Sequence, residues 1–143
     1  MVGRLDGKVA VVTGGCSGIG LGAVELFVAE GASVIAADLQ AEKGEMLEKR
    51  FPDRVRFSLC DVTSEDDLAR TMVVAEESFG GLDILFNNAG HGGTPAGVPE
   101  LTVEGWDKTF TLLVRGPAIG MKHALPLMLK RGGGSIINTA SEA

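Results

Sequence analysis

The sequence predicts an α/β fold, a doubly wound parallel sheet of five strands in the order 3-2-1-4-5, and three observations predict it. Short, almost wholly apolar runs alternate with amphipathic stretches, as they do when strands buried on both faces are covered by helices. A glycine cluster lies directly between the first apolar run and the first amphipathic stretch. An aspartate closes the second apolar run at position 38, 18 residues after the last glycine of that cluster at position 20.

The elements follow in order. Residues 9–13, Val-Ala-Val-Val-Thr, form the first strand, and the helix after the glycine cluster presents Ile19, Ala23, Leu26 and Phe27 on one face until Gly31 stops it. Residues 33–37 form the second strand, followed by a polar helix around Met46, Leu47 and Phe51 that ends at Pro52. The third strand is 55–59. Ser64, with Asp67 three residues on, caps a helix whose inner stripe is Leu68, Met72, Ala75 and Phe79, and Glu65, Asp66 and Asp67 suit its positive end. The fourth strand, 82–86, leads into a loop over 91–100 that is rich in Gly and Pro. One long helix spans 103–131, with Trp106, Phe110, Leu113, Val114, Met121, Leu125 and Met128 at helical spacing. Three glycines at 132–134 end it before the fifth strand, 135–139.

Composition excludes several classes of function. With 45% hydrophobic and 22% charged residues the chain is globular, and its 21 glycines in 143 residues, about twice the usual share, act as local devices. Thirteen basic against 19 acidic residues give a net charge of −6 without any basic run, which excludes a nucleic-acid partner. Cys16 and Cys60 have no metal-binding spacing, so no metal is expected, and two cysteines beside a good core indicate a reduced, cytoplasmic setting. No apolar run is long enough for a membrane span, and the first residues do not form a signal peptide. The chain contains no tyrosine.

The cluster Thr13-Gly14-Gly15-Cys16-Ser17-Gly18-Ile19-Gly20 joins a buried strand to a helix, where glycines let the backbone approach a pyrophosphate and the helix start favours its charge. This is the Rossmann arrangement. Asp38 is placed to bind ribose hydroxyls and would repel a 2′-phosphate, while Gly15, Cys16 and Leu39 offer no cation to offset that repulsion. The expected cofactor is therefore NAD.

These residues resemble the short-chain dehydrogenase/reductase family over nearly the whole chain. The glycine cluster looks like the family's TGxxxGxG loop, Asp61-Val62 like its adenine-contacting pair, and Asn87-Asn88-Ala89-Gly90 like its NNAG motif. The resemblance implies hydride transfer between a nicotinamide and a small-molecule alcohol or ketone, in a complete protein that is a homo-oligomer. It implies cofactor binding by Gly14, Ser17, Gly18, Ile19, Gly20, Asp38, Leu39, Asp61, Val62, Asn88, Ala89 and Gly90, with Asn88, Ala89 and Gly90 beside the adenine-side ribose and supporting the central sheet. Ser141 corresponds to the family's catalytic serine.

Two departures qualify the resemblance. The family's Tyr-x-x-x-Lys pair lies on a helix that follows this segment, so 1–143 is expected to be an NAD-binding domain lacking its C-terminal strands and inactive alone. A catalytically silent NAD-binding module, or a shortened variant that assembles with a full-length partner, is the alternative; a flavodoxin-like receiver is disfavoured by Asp38 together with the NNAG segment. Strand five is then expected to form an open edge carrying Ile136 and Ile137, an invitation to association. Secondly, Leu113 stands where the family commonly has an Asn, and Pro117, four residues on, cannot donate to its carbonyl. The helix is therefore expected to be irregular there, with that carbonyl directed toward the cofactor cleft.

Overall fold

The computed structural model describes residues 2–93 and 95–141. Five parallel strands, β1 (Val9–Thr13), β2 (Ser33–Asp38), β3 (Val55–Leu59), β4 (Ile84–Asn87) and β5 (Ser135–Asn138), lie in the order β3-β2-β1-β4-β5. Register is continuous across the middle of the sheet, with Val11 beside Ile35 on one side and Leu85 on the other.

Alternation along the strands divides the core in two. Val9, Val11, Ile35 and Leu85 face α3 (Glu65–Phe79) and α5 (Gly116–Lys130), where they meet Met72, Ala75, Ala124, Leu127 and Met128. Ala10, Val12, Val34 and Ala36 face α1 (Gly18–Ala29) and α2 (Ala41–Arg50), packing with Val24 and Leu47. Each of the larger aliphatic side chains removed from water in this way contributes about 1.5–3 kcal/mol. The Ser64 cap forms as expected, its hydroxyl accepting from the Asp67 N–H at 3.3 Å, and Leu68, Met72 and Ala75 are buried as the inner stripe of α3.

Three expectations need correction. Ile19 and Leu26 of α1 are exposed, at 75% and 52%, and the helix instead presents Gly20 and Val24 to the sheet. The fourth strand runs from Ile84 to Asn87 rather than from 82, because Leu82 and Asp83 precede the ladder. The long helix is not one regular element. After α4 (Val103–Phe110) comes a π-turn, Thr111–Arg115, in which the Gly116 N–H donates to the carbonyl of Thr111, and α5 follows with Pro117 in its first turn. Irregularity was expected at Pro117; the extra residue per turn is how the helix accommodates it. Trp106, Phe110, Leu113, Val114 and Leu125 are exposed, and Trp106 stacks on Phe110 with ring centroids 4.6 Å apart.

β5 is the outer strand, with Ile137 exposed and Ile136 packed against the core. At the amino end of the sheet, Asp83 is 7% exposed. Its carboxylate accepts from the Val9 N–H at 2.9 Å and from the Arg131 guanidinium at 2.7 and 3.2 Å. Burial pushes this carboxyl up, but Arg131 and the Val9 N–H outweigh it and hold it below the usual aspartate range.

Candidate cofactor site

At the carboxyl ends of β1–β4 the loops enclose a cavity of about 210 Å³. Gly14 and Ser17 line it from the glycine loop, Asp38 and Leu39 from the end of β2, Asp61 and Val62 from beyond β3, and Ala89 and Gly90 from beyond β4. Eight of the twelve expected cofactor residues thus border one space. Of the other four, Gly18, Ile19 and Gly20 form the first turn of α1 next to Ser17, and Asn88 points elsewhere. A hollow of about 370 Å³ against Arg4, Leu26, Phe27 and Glu30 lies at the far end of α1, away from these loops.

The glycine loop is shaped by close approach. A Cβ on Gly20 would overlap the carbonyl oxygen of Gly14, and Gly14 itself has φ +65°, which favours glycine. Asn88 fastens the loop's first residues: its Nδ2 donates to the carbonyls of Thr13 at 3.1 Å and Gly14 at 3.4 Å. The Asn88 side chain therefore holds the loop to β4, the sheet-supporting part of its expected role, and does not line the cavity.

Thr13 is the partner in that seam and was missed by the sequence reading. Its buried Oγ1 accepts from the N–H groups of both Asn88 and Ala89 at 3.0 Å. Thr13→Val keeps the shape and strands two backbone donors, so the chain is expected to lose about 2 kcal/mol of stability. A shift in urea midpoint at unchanged slope measures this; no shift would mean that water replaces the hydroxyl.

Asp38 is nearly buried. Its Oδ2 accepts from the Cys16 N–H at 2.9 Å, and its Oδ1 from the Gln40 N–H at 3.1 Å and the Gln40 side-chain amide at 3.2 Å. Asp61 Oδ1 accepts from the Thr63 N–H and hydroxyl at 2.8 and 2.7 Å, which orders the loop before α3. The end of the π-turn braces the same loop, since Arg115 donates to the Thr63 carbonyl at 3.2 Å. Asn87 ties the π-turned helix to the sheet by donating to the carbonyl of Pro117 at 3.2 Å and to Asn138 Oδ1 at 2.9 Å.

Leu113 packs on the NNAG turn, its Cδ2 lying 2.9 Å from where a Cβ on Gly90 would sit. Gln40, Cys60, His91 and Leu112 also line the cavity. Of these, Gln40, Cys60 and His91 flank expected residues, whereas nothing local marks Leu112. Burial first, then Asp38, push the Cys16 thiol up to about 12, so it remains protonated at neutral pH and is a packing residue rather than a nucleophile. Ser141 lies beyond the end of β5 and is exposed. Among the described residues no cluster of His, Cys, Asp and Glu could hold a metal ion. None of their helices is long and apolar enough to cross a membrane.

A family model for short chain dehydrogenases matches residues 8–143. The chain belongs to the short-chain dehydrogenase family. Among its relatives, momilactone A synthase of Oryza sativa subsp. japonica is 45% identical over 96% of this chain and 51% of its own length. Short-chain dehydrogenase reductase 3a of Arabidopsis thaliana is 42% identical over 98% of the chain and 55% of its own length. (+)-Borneol dehydrogenase 2 of Salvia officinalis is 43% identical over 98% and 50%, respectively. The chain thus spans about half the length of the curated relatives it matches.

Proposed function

We propose that residues 1–143 form the NAD-binding part of a short-chain dehydrogenase that moves hydride between the nicotinamide and a small alcohol or ketone. The observation that carries this reading is the single cavity bordered by the glycine loop, Asp38, Asp61-Val62 and Ala89-Gly90. The fit is chemical as well as spatial. Gly14 and Gly20 leave backbone where a side chain would block a pyrophosphate, and Gly18, Ile19 and Ser17 present the helix start to its charge. Asp38 supplies the acceptors that suit ribose hydroxyls. Asp61 and Val62 border the adenine, Leu39 closes the ribose side, and Ala89 and Gly90 line the opposite wall beside loop-bound Asn88.

The bound cofactor supplies the hydride chemistry; the chain's own residues bind and orient. Ser141 would donate a hydrogen bond to the reacting oxygen. The acid that the family resemblance assigns to a tyrosine cannot come from this sequence, which has none. The 143-residue chain is therefore expected to bind cofactor without turning over alcohols or ketones. A second reading, a silent NAD-binding module or a short variant that assembles with a full-length partner, rests on the absence of tyrosine from these 143 residues. In the complete protein we place the function in a cytoplasmic homo-oligomer.

Fluorescence titration with NADH and NADPH tests the cofactor. NADH is expected to bind at least about tenfold more tightly, because a 2′-phosphate would meet the Asp38 carboxylate. Equal affinities would overturn the assignment of Asp38, and nicotinamide turnover with secondary alcohols would overturn the expected inactivity.

A further inference from the structure

The Asp38 carboxylate is almost fully subscribed before any nucleotide arrives. A carboxylate has about four acceptor positions. Three are taken, by the Cys16 N–H at 2.9 Å, the Gln40 N–H at 3.1 Å and the Gln40 Nε2–H at 3.2 Å. A ribose 2′,3′-diol brings two O–H donors, so one occupied position has to be released for both to bind. The two backbone donors are fixed by the glycine loop and by the start of α2. Only the Gln40 amide can leave by rotating its side chain. The second hydrogen of that amide reaches Ser17 Oγ at 3.2 Å, so the side chain spans from the ribose acceptor to the phosphate loop, and Gln40 itself lines the cavity. The orientation of the amide is dictated by charge, since its oxygen facing the carboxylate would be repelled.

We infer that Gln40 is an internal competitor for the adenosine ribose: its side-chain amide occupies the acceptor that the diol needs and is displaced when the nucleotide binds. This rests on the assignment of Asp38 as the ribose ligand. Displacement also releases Ser17 Oγ from Gln40, so ribose recognition and the freeing of a hydroxyl at the phosphate loop occur together. Gln40 acts through Asp38 and is a positioning residue whose removal strengthens binding.

Calorimetric titration of the 143-residue chain with ADP and 2′-deoxy-ADP tests the inference. Gln40→Met keeps the length of the side chain without its donors, and ADP is expected to bind it about fivefold more tightly than the parent, the net value of one hydrogen bond. Binding of 2′-deoxy-ADP, which presents no diol, is expected to stay within about twofold. Gln40→Ala removes the bulk as well and is expected to give the same pattern. Weaker ADP binding by both variants, or equal tightening for both nucleotides, would overturn the inference. If the parent does not prefer ADP over 2′-deoxy-ADP, the assignment of Asp38 falls and the competitor role with it. If the parent prefers ADP and neither variant tightens, the competitor role alone falls.

Discussion

Asp83→Asn is expected to lower the melting temperature by about 10 °C, equivalent to about 3 kcal/mol. The substitution preserves shape and removes charge from a carboxylate that is 7% exposed and holds the Arg131 guanidinium and the Val9 N–H. It leaves a half-buried cation facing a neutral amide in place of its carboxylate, with the Gly7 carbonyl 3.2 Å away. The effect depends on pH in a defined direction. Asp83 titrates lower in the folded chain than in the unfolded one. Its contribution is therefore complete above the ordinary aspartate range near ~4 and is lost as pH falls through the lower folded value. The gap between parent and variant is expected to narrow on acidification from neutral pH, followed by thermal melts. A gap independent of pH would assign the loss to packing instead of charge.

Gly20→Val is expected to weaken NADH binding by at least about 100-fold, about 3 kcal/mol. Its Cβ would overlap the Gly14 carbonyl oxygen and come within 2.6 Å of Asn88 Nδ2. The loop must then lift from β1, and the Asn88 bonds to Thr13 and Gly14 break with it. Gly22 provides the contrast, because a Cβ there meets nothing within 4 Å. Gly22→Ala is expected to leave binding unchanged and to gain about 0.5–1 kcal/mol of stability from reduced backbone entropy. Equal losses at both positions by fluorescence titration would show that close approach at Gly20 does not govern the site.

The strands were legible because burial on both faces leaves near-continuous apolar runs, and Asp38 was legible because its offset from the glycine cluster is fixed by the length of one helix and one strand. The α1 face was misread for a physical reason. Where a helix start must approach backbone closely, the inward position is Gly20, so that part of the buried face is marked by the absence of side chains while Ile19 faces water. The π-turn at Thr111–Arg115 misled the periodicity differently. One extra residue shifts the phase of everything after it, so a single stripe drawn from Trp106 to Met128 cannot lie on one face. Thr13 opens the glycine cluster and Gln40 follows Leu39, but neither residue's own role is visible locally. Their importance comes from partners at Asn88 and Ala89 in one case and at Ser17 in the other, brought together only by folding.

The strand order also bears on how such a chain emerges from the ribosome. β2 adds to β1, β3 adds to β2, β4 takes the opposite side of β1, and β5 adds to β4. Every strand therefore finds its neighbour already synthesised, and none waits for a later one to fill a gap between two others. Growth is outward and vectorial. At each stage the nascent sheet is contiguous, and the growing flank offers the next parallel strand a ready hydrogen-bonding template.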